Sequence, residues 1–142
     1  VMDLPDIGNM SSTHSANPLV CSAGMAVLDE INDRELVNES YRKGKILIAS
    51  LENIKSIFAN RVSRVIGKGL VASIHFKNIL TGNPDSEFTS KVAERCMQKG
   101  LLVVHTGRES IKIGPPLTIK DEALVEGLKV LEESIEETIN SD

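Results

Sequence analysis

Two places in this sequence gather side chains able to do chemistry. The stretch STHSANP, Ser12 to Pro18, sets hydroxyls, an imidazole and an amide in front of the small-residue run LVCSAGMAVL. A helix starting there has unsatisfied N–H groups and a partial positive charge at its first turn. The hydroxyls therefore either complete an anion or phosphate site, or serve as loop while Ser15 or Asn17 caps the helix. The second place is GPPLTI, Gly114 to Ile119, where a double proline stiffens the passage from a strand into a helix. Lys112, just before it and facing away from Ile111 and Ile113, suits either an anionic substrate group or a solvated surface position. Of the histidines, His14 reads as a solvent-facing loop residue, and His75 and His105 read as packed, hydrogen-bonded rings in strands. Cys21 and Cys96 each stand without a neighbouring cysteine or spaced histidine, so both are expected as free thiols and no metal site is expected.

The elements that must position these residues follow from periodicity. Asn17 is a good N-cap and Pro18 suits the first helical position, so a helix is predicted from Pro18 to Asn32. Its small residues let another element approach closely, and it is expected to be buried. Asp33 is expected to cap a second helix, Arg34 to Phe58, with the stripe Leu36, Ser40, Gly44, Leu47, Leu51, Ile54 and Phe58. Two small residues inside that stripe predict tight contact. GKGLVASIHF, Gly67 to Phe76, alternates Leu70, Ala72, Ile74 and Phe76 as a strand with one face on a core. TGNPDS breaks the chain, and Ser86 opens a third helix with Phe88, Val92 and Cys96 on one face until Gly100. Leu101 to His105 and Ser110 to Gly114 read as short strands around the turn TGRE, Thr106 to Glu109. Thr118 and Asp121 have capping-box spacing ahead of a last helix striped with Leu124, Leu128, Leu131, Ile135 and Ile139. The pattern is α+β, with helices packed on a small antiparallel or mixed sheet.

At 142 residues, 41% hydrophobic and 25% charged, the chain is long enough for one compact unit with a core. No apolar run approaches the roughly 18 residues that span a bilayer, and VMDLPDIGNM lacks the basic start and apolar core of a signal peptide. No membrane partner and a cytoplasmic location are expected. Charge is divided unevenly: residues 1–120 carry 15 Lys+Arg against 12 Asp+Glu, whereas 121–142 carry 1 against 8. That acidic end is the solvent face of the last helix. Without a basic stripe or interleaved aromatics, no nucleic-acid partner is expected.

STHSANPLVCSAGMAVLDEI is similar to the class III pyridoxal-phosphate aminotransferases, in which a Thr, a small-residue turn, Asn-Pro-Leu and an alanine-rich helix follow one another. GKGLVASIHF resembles the family's Gly-rich strand, RCMQKGLLVVHTG its Gly-Leu-Leu helix-to-strand passage, and SIKIGPPLTIKDEALVEGLKVLEE its Pro-Leu-Thr-Ile segment and closing helix. The resemblance covers nearly the whole chain, with the motifs in order. It implies the C-terminal part of a fold-type I enzyme: residues 1–32 as a loop and long helix ending the large cofactor domain, and 33–142 as the C-terminal small domain. That domain would hold a mostly antiparallel sheet of roughly three to four strands.

The family's Schiff-base lysine, the Asp at the pyridine nitrogen and the stacking aromatic belong to motifs that do not occur here. The resemblance therefore implies a chain with no catalytic residue of its own, inactive alone and without bound pyridoxal phosphate. Thr13 matches the Thr that reaches across the dimer interface to the cofactor phosphate of the other subunit. Lys112 stands where many members have an Arg that grips the substrate carboxylate through two bonds; a lysine is a point charge without that planar fork. The parent is expected to be a homodimer moving an amino group between an amine or amino acid and a keto acid or aldehyde. Two alternatives stand beside it: a free-standing α+β ligand-binding or dimerisation module, and another enzyme on the same fold, such as a racemase, aminomutase or decarboxylase.

Overall fold

The computed structural model describes residues 13, 14, 17–105 and 107–141. Of the loop expected over 1–16, residues 1–12, 15 and 16 lie outside the described residues, as do Thr106 and Asp142. The chain divides into two compact units, Val1–Val37 and Asn38–Asp142, where length alone suggested one. The buried apolar cluster lies wholly in the second, which is the physical basis of the division.

In the first unit, Asn17 is extended (φ −68°, ψ 132°) and its side-chain oxygen accepts from the Leu19 N–H at 2.9 Å, with Pro18 opening α1, Pro18–Asp33. The cap is as expected, but the burial is not. No residue of α1 is buried, and Leu19 is 77% exposed, with Val20, Met25, Val27 and Leu28 all more than half exposed. Small and apolar residues tell a helix's preference for a packed neighbour, and among the described residues that preference is not met. Asp33 closes α1 instead of capping the next helix, because Glu35 intervenes in the left-handed region (φ 49°) before α2, Leu36–Ile57.

The segment expected as one strand proves to be the turn and second arm of a hairpin. β1, Val62–Lys68, pairs antiparallel with β2, Val71–Phe76, through the two-residue loop Gly69–Leu70. Gly69 has φ 57°, in the first loop position that a tight hairpin reserves for glycine. β1 escapes period-two detection because its buried set is sparse: Val62 is buried and Val65 half-buried among exposed neighbours. The small residues of the α2 stripe meet this turn. A Cβ on Gly44 would lie 2.5 Å from the Gly69 carbonyl oxygen, and Ser40 Oγ accepts from the Leu70 N–H at 3.3 Å.

α3, Ser86–Gln98, is capped by Asp85, whose carboxylate accepts from the Phe88 N–H at 3.0 Å. β3 is confined to Val104–His105, shorter than predicted, and β4, Ser110–Ile113, joins it to β2, giving an antiparallel sheet of order β1-β2-β4-β3. α4, Asp121–Ile139, has Lys120 at its cap position with no side-chain cap bond. The Thr118–Asp121 capping box does not form, since Asp121 turns to Arg42. One sheet face carries Ala72, Ile74, Phe76 and Ile111 into a core with Leu47 and Leu51 of α2, Val92 and Cys96 of α3, and Leu131 and Ile135 of α4. No described helix is long and apolar enough to cross a membrane.

Candidate functional site

The alternation that buries Ile74 and Phe76 sends Ser73 and His75 to the opposite face of β2. Register then selects their neighbours. Ser73 lies opposite Lys112 on β4 and Ile66 on β1, while His75 lies opposite Ser110 and Arg64. Directly opposed residues project from the same face with Cβ atoms about 4.5–5.5 Å apart. Lys112 is exposed, as its alternation with buried Ile111 predicted.

Beside Lys112 the face is organised by hydrogen bonds. Ser73 Oγ is 3.0 Å from His75 Nε2, and His75 Nδ1 is 3.5 Å from Glu109 Oε1. The Glu109 carboxyl is held below the usual carboxylate range by its own backbone N–H, against the opposing effect of burial, and further by the His75 ring and the charge of Arg64. His75 is thus the packed, bonded ring the sequence suggested. Its link to Ser73 and Glu109 was not read there. The i, i+2 spacing of Ser73 and His75 carries half of that signal, and the return of Glu109 in the loop just before β4 carries the other half. His105 meets Ser90 Oγ at 3.4 Å on the helical side of the sheet.

On the edge of the same strands, a cavity of about 300 Å³ opens between the β3–β4 pair, the double proline and α4. Its lining runs from Leu101–Val104 through Lys112–Pro116 to Leu124 and Leu128, apolar apart from Lys112. The GPPLTI passage is fastened from behind: the Lys43 ammonium, itself buried, donates to the Ile119 carbonyl at 2.7 Å. The double proline is therefore a rigid connection that also forms one wall.

Thr13 and His14 lie together in an exposed turn ahead of α1. Cys21 is exposed and Cys96 buried, both as free thiols. Among the described residues no cluster of histidine, cysteine and acidic side chains is arranged to hold a metal ion.

A pyridoxal phosphate site needs a lysine for the cofactor aldehyde, an acid at the ring nitrogen and several donors for the phosphate. The cavity offers Lys112 among apolar walls and no carboxylate, and Thr13 offers one exposed hydroxyl. These residues do not make up that site by themselves.

Comparison with known proteins agrees with this partial character. The family described as aminotransferase class-III matches residues 1–135. The mitochondrial acetylornithine aminotransferase of Saccharomyces cerevisiae is 31% identical over 92% of this chain and 29% of its own length. The alanine/serine racemase of Pyrococcus horikoshii is 30% identical over 98% of the chain and 29% of its length. Among solved structures, the amine transaminase from an uncultivated Pseudomonas species in its PLP-bound form matches with a TM-score of 0.82 and 25% identity, over 93% of this chain and 30% of that one. The chain thus spans about 29% of the length of the curated relatives it matches. With nearly every residue inside the family match and the fold in common, the chain belongs to the class III aminotransferases.

Proposed function

We propose that this chain is the C-terminal segment of a pyridoxal-phosphate-dependent aminotransferase and is inactive without the rest of the enzyme. The observation that carries this reading is the family match over residues 1–135, set against a cavity that lacks the cofactor's own anchoring residues. In this reading residues 1–32 end the large domain and 33–142 form the small domain. Lys112 projects toward the anionic group of the amino donor or acceptor, and Thr13 contacts the cofactor phosphate of a second subunit in a homodimer. The apolar side chains of α1, exposed among the described residues, support the division. We place the enzyme in the cytoplasm on its composition; cell fractionation checks that location, since the yeast relative is mitochondrial.

The test is direct. The isolated chain, incubated with pyridoxal phosphate and borohydride and digested, is expected to show no preferred cofactor–lysine adduct; a single stoichiometric adduct overturns the assignment of the anchoring lysine to another segment. Hydrogen exchange is expected to find α1 unprotected in the chain alone and protected in the intact enzyme. Equal protection in both favours a self-contained module. A racemase is the second reading, supported by the Pyrococcus relative. Following amino-group transfer and loss of optical rotation with the same amino acid in the intact enzyme separates the two.

A further inference from the structure

We infer that Ser73 is a second donor to the carboxylate that Lys112 attracts, and that His75 and Glu109 set the direction in which the Ser73 hydroxyl points. The inference rests on the reading of Lys112 as the substrate-anion contact and deepens it: the favoured ligand is a carboxylate-bearing amino or keto compound.

An ammonium attracts an anion as a point charge and fixes neither its orientation nor its second oxygen, whereas a guanidinium does both through its planar fork. A neighbouring hydroxyl restores the second contact. Ser73 is the residue directly opposite Lys112 in the β2–β4 register, on the same sheet face and only partly buried. A carboxylate seated over that pair has one oxygen on the ammonium and the other within reach of Ser73 Oγ.

The hydroxyl is not free to turn, because its oxygen is 3.0 Å from His75 Nε2. With a neutral ring whose Nδ1–H points to Glu109, Nε2 is an acceptor, and the Ser73 hydrogen is used on the ring. With a protonated ring, Nε2–H donates to Ser73 Oγ, and the serine hydrogen is released toward the open face where the carboxylate arrives. The groups facing His75 are Arg64 from β1, Ser73 on its own strand, Ser110 with Lys112 beside it on β4, and Glu109 from the preceding loop. Glu109 is the sole carboxylate in this set, and it fixes the ring with Nε2 toward the serine. Ser73 is a binding residue in this scheme, and His75 and Glu109 are positioning residues.

The intact holoenzyme provides the test, with butyrate as the probe and uncharged butyramide as its control, both measured by calorimetry. Ser73→Ala is expected to weaken butyrate roughly tenfold, the scale of a lost hydrogen bond to a charged group. The ratio of butyrate to butyramide affinity is expected to fall with it, and Ser73→Thr to restore it. Lys112→Ala is expected to weaken butyrate at least as much. His75→Ala is expected to lower the ratio of butyrate to butyramide affinity with Ser73 still in place, and His75→Gln, whose side-chain amide can still donate to Ser73 Oγ, to restore it. If Ser73→Ala leaves butyrate binding intact while Lys112→Ala weakens it, the role of Ser73 is overturned and the reading of Lys112 stands. If Lys112→Ala has no effect, or the unaltered holoenzyme does not bind butyrate, both fall. An unchanged ratio in His75→Ala, or no recovery in His75→Gln, overturns the positioning role.

Discussion

The guanidinium of Arg42 meets the carboxylate of Asp121 through two bonds of 2.7 and 2.8 Å, tying α2 to the first turn of α4 across 79 positions of sequence. Glu39 joins the same guanidinium from one turn earlier on α2. The bonded guanidinium lowers the carboxyls of both Asp121 and Glu39 below their ordinary range, and their carboxylates in turn raise Arg42. A carboxyl lowered by folding contributes stability that is fully present above its unfolded value and is lost as pH falls through the folded one. Below the ordinary carboxyl range of about 4, the unaltered chain is therefore expected to lose stability more steeply than Arg42→Ala. Urea unfolding at a series of acid pH values checks this. The difference between the two chains is fully present near neutrality and shrinks in acid, and it is small throughout because the pair is exposed.

Gly44 is the point where α2 touches the hairpin turn. A methyl group placed there meets the backbone of Gly69, with its oxygen at 2.5 Å, and neither partner is a side chain that can swing aside. Gly44→Ala is expected to cost about 1–3 kcal/mol despite alanine's better helix propensity, read as a lowered midpoint in thermal or urea unfolding.

Asp85 has two tasks. One oxygen accepts from the Phe88 N–H at the start of α3, and the other lies 3.2 Å from Arg61, whose guanidinium stacks 4.3 Å from the centre of the Phe88 ring. Removing one member of a buried ion pair costs about 3–5 kcal/mol. This pair is part-buried, so Asp85→Ala is expected at or below the low end of that range. Asp85→Ser keeps the cap and is expected to recover only the capping share, about 1 kcal/mol; comparison of the two by chemical unfolding separates the roles.

The two cysteines differ in environment. Cys21 is exposed on α1, whereas Cys96 is buried between α3 and α4, where burial raises its thiol above the ordinary value. Maleimide labelling of the native chain is expected to modify Cys21 promptly and to reach Cys96 only on unfolding. Peptide mass spectrometry over time reads the difference.

Much of the fold was legible because its signals are local. The Asn17–Pro18 start of α1, the stripes of α2, α3 and α4, and the buried alternation of Leu70, Ala72, Ile74 and Phe76 all follow from period and capping chemistry. The structure departs from the local pattern where a local signal meets a non-local competitor. Asp121 was taken by Arg42 and so gave up the capping box. β1 has only a sparse buried set, so its existence depends on pairing with β2 more than on its own pattern.

The sequence by itself determined the family, since its motifs extend over almost the full chain in order, and it singled out Lys112 and Thr13 from their places in those motifs. It also determined that α1 would be an apolar helix. Only the tertiary structure decided that no residue of α1 is buried among the described residues, and that Ser73, His75 and Lys112 share one sheet face, with Glu109 reaching His75 from the loop before β4. The physical reason is register. Which residue faces which across a sheet depends on the hairpin turn and the return of a distant strand, and neither is written in the spacing of Ser73 from Lys112.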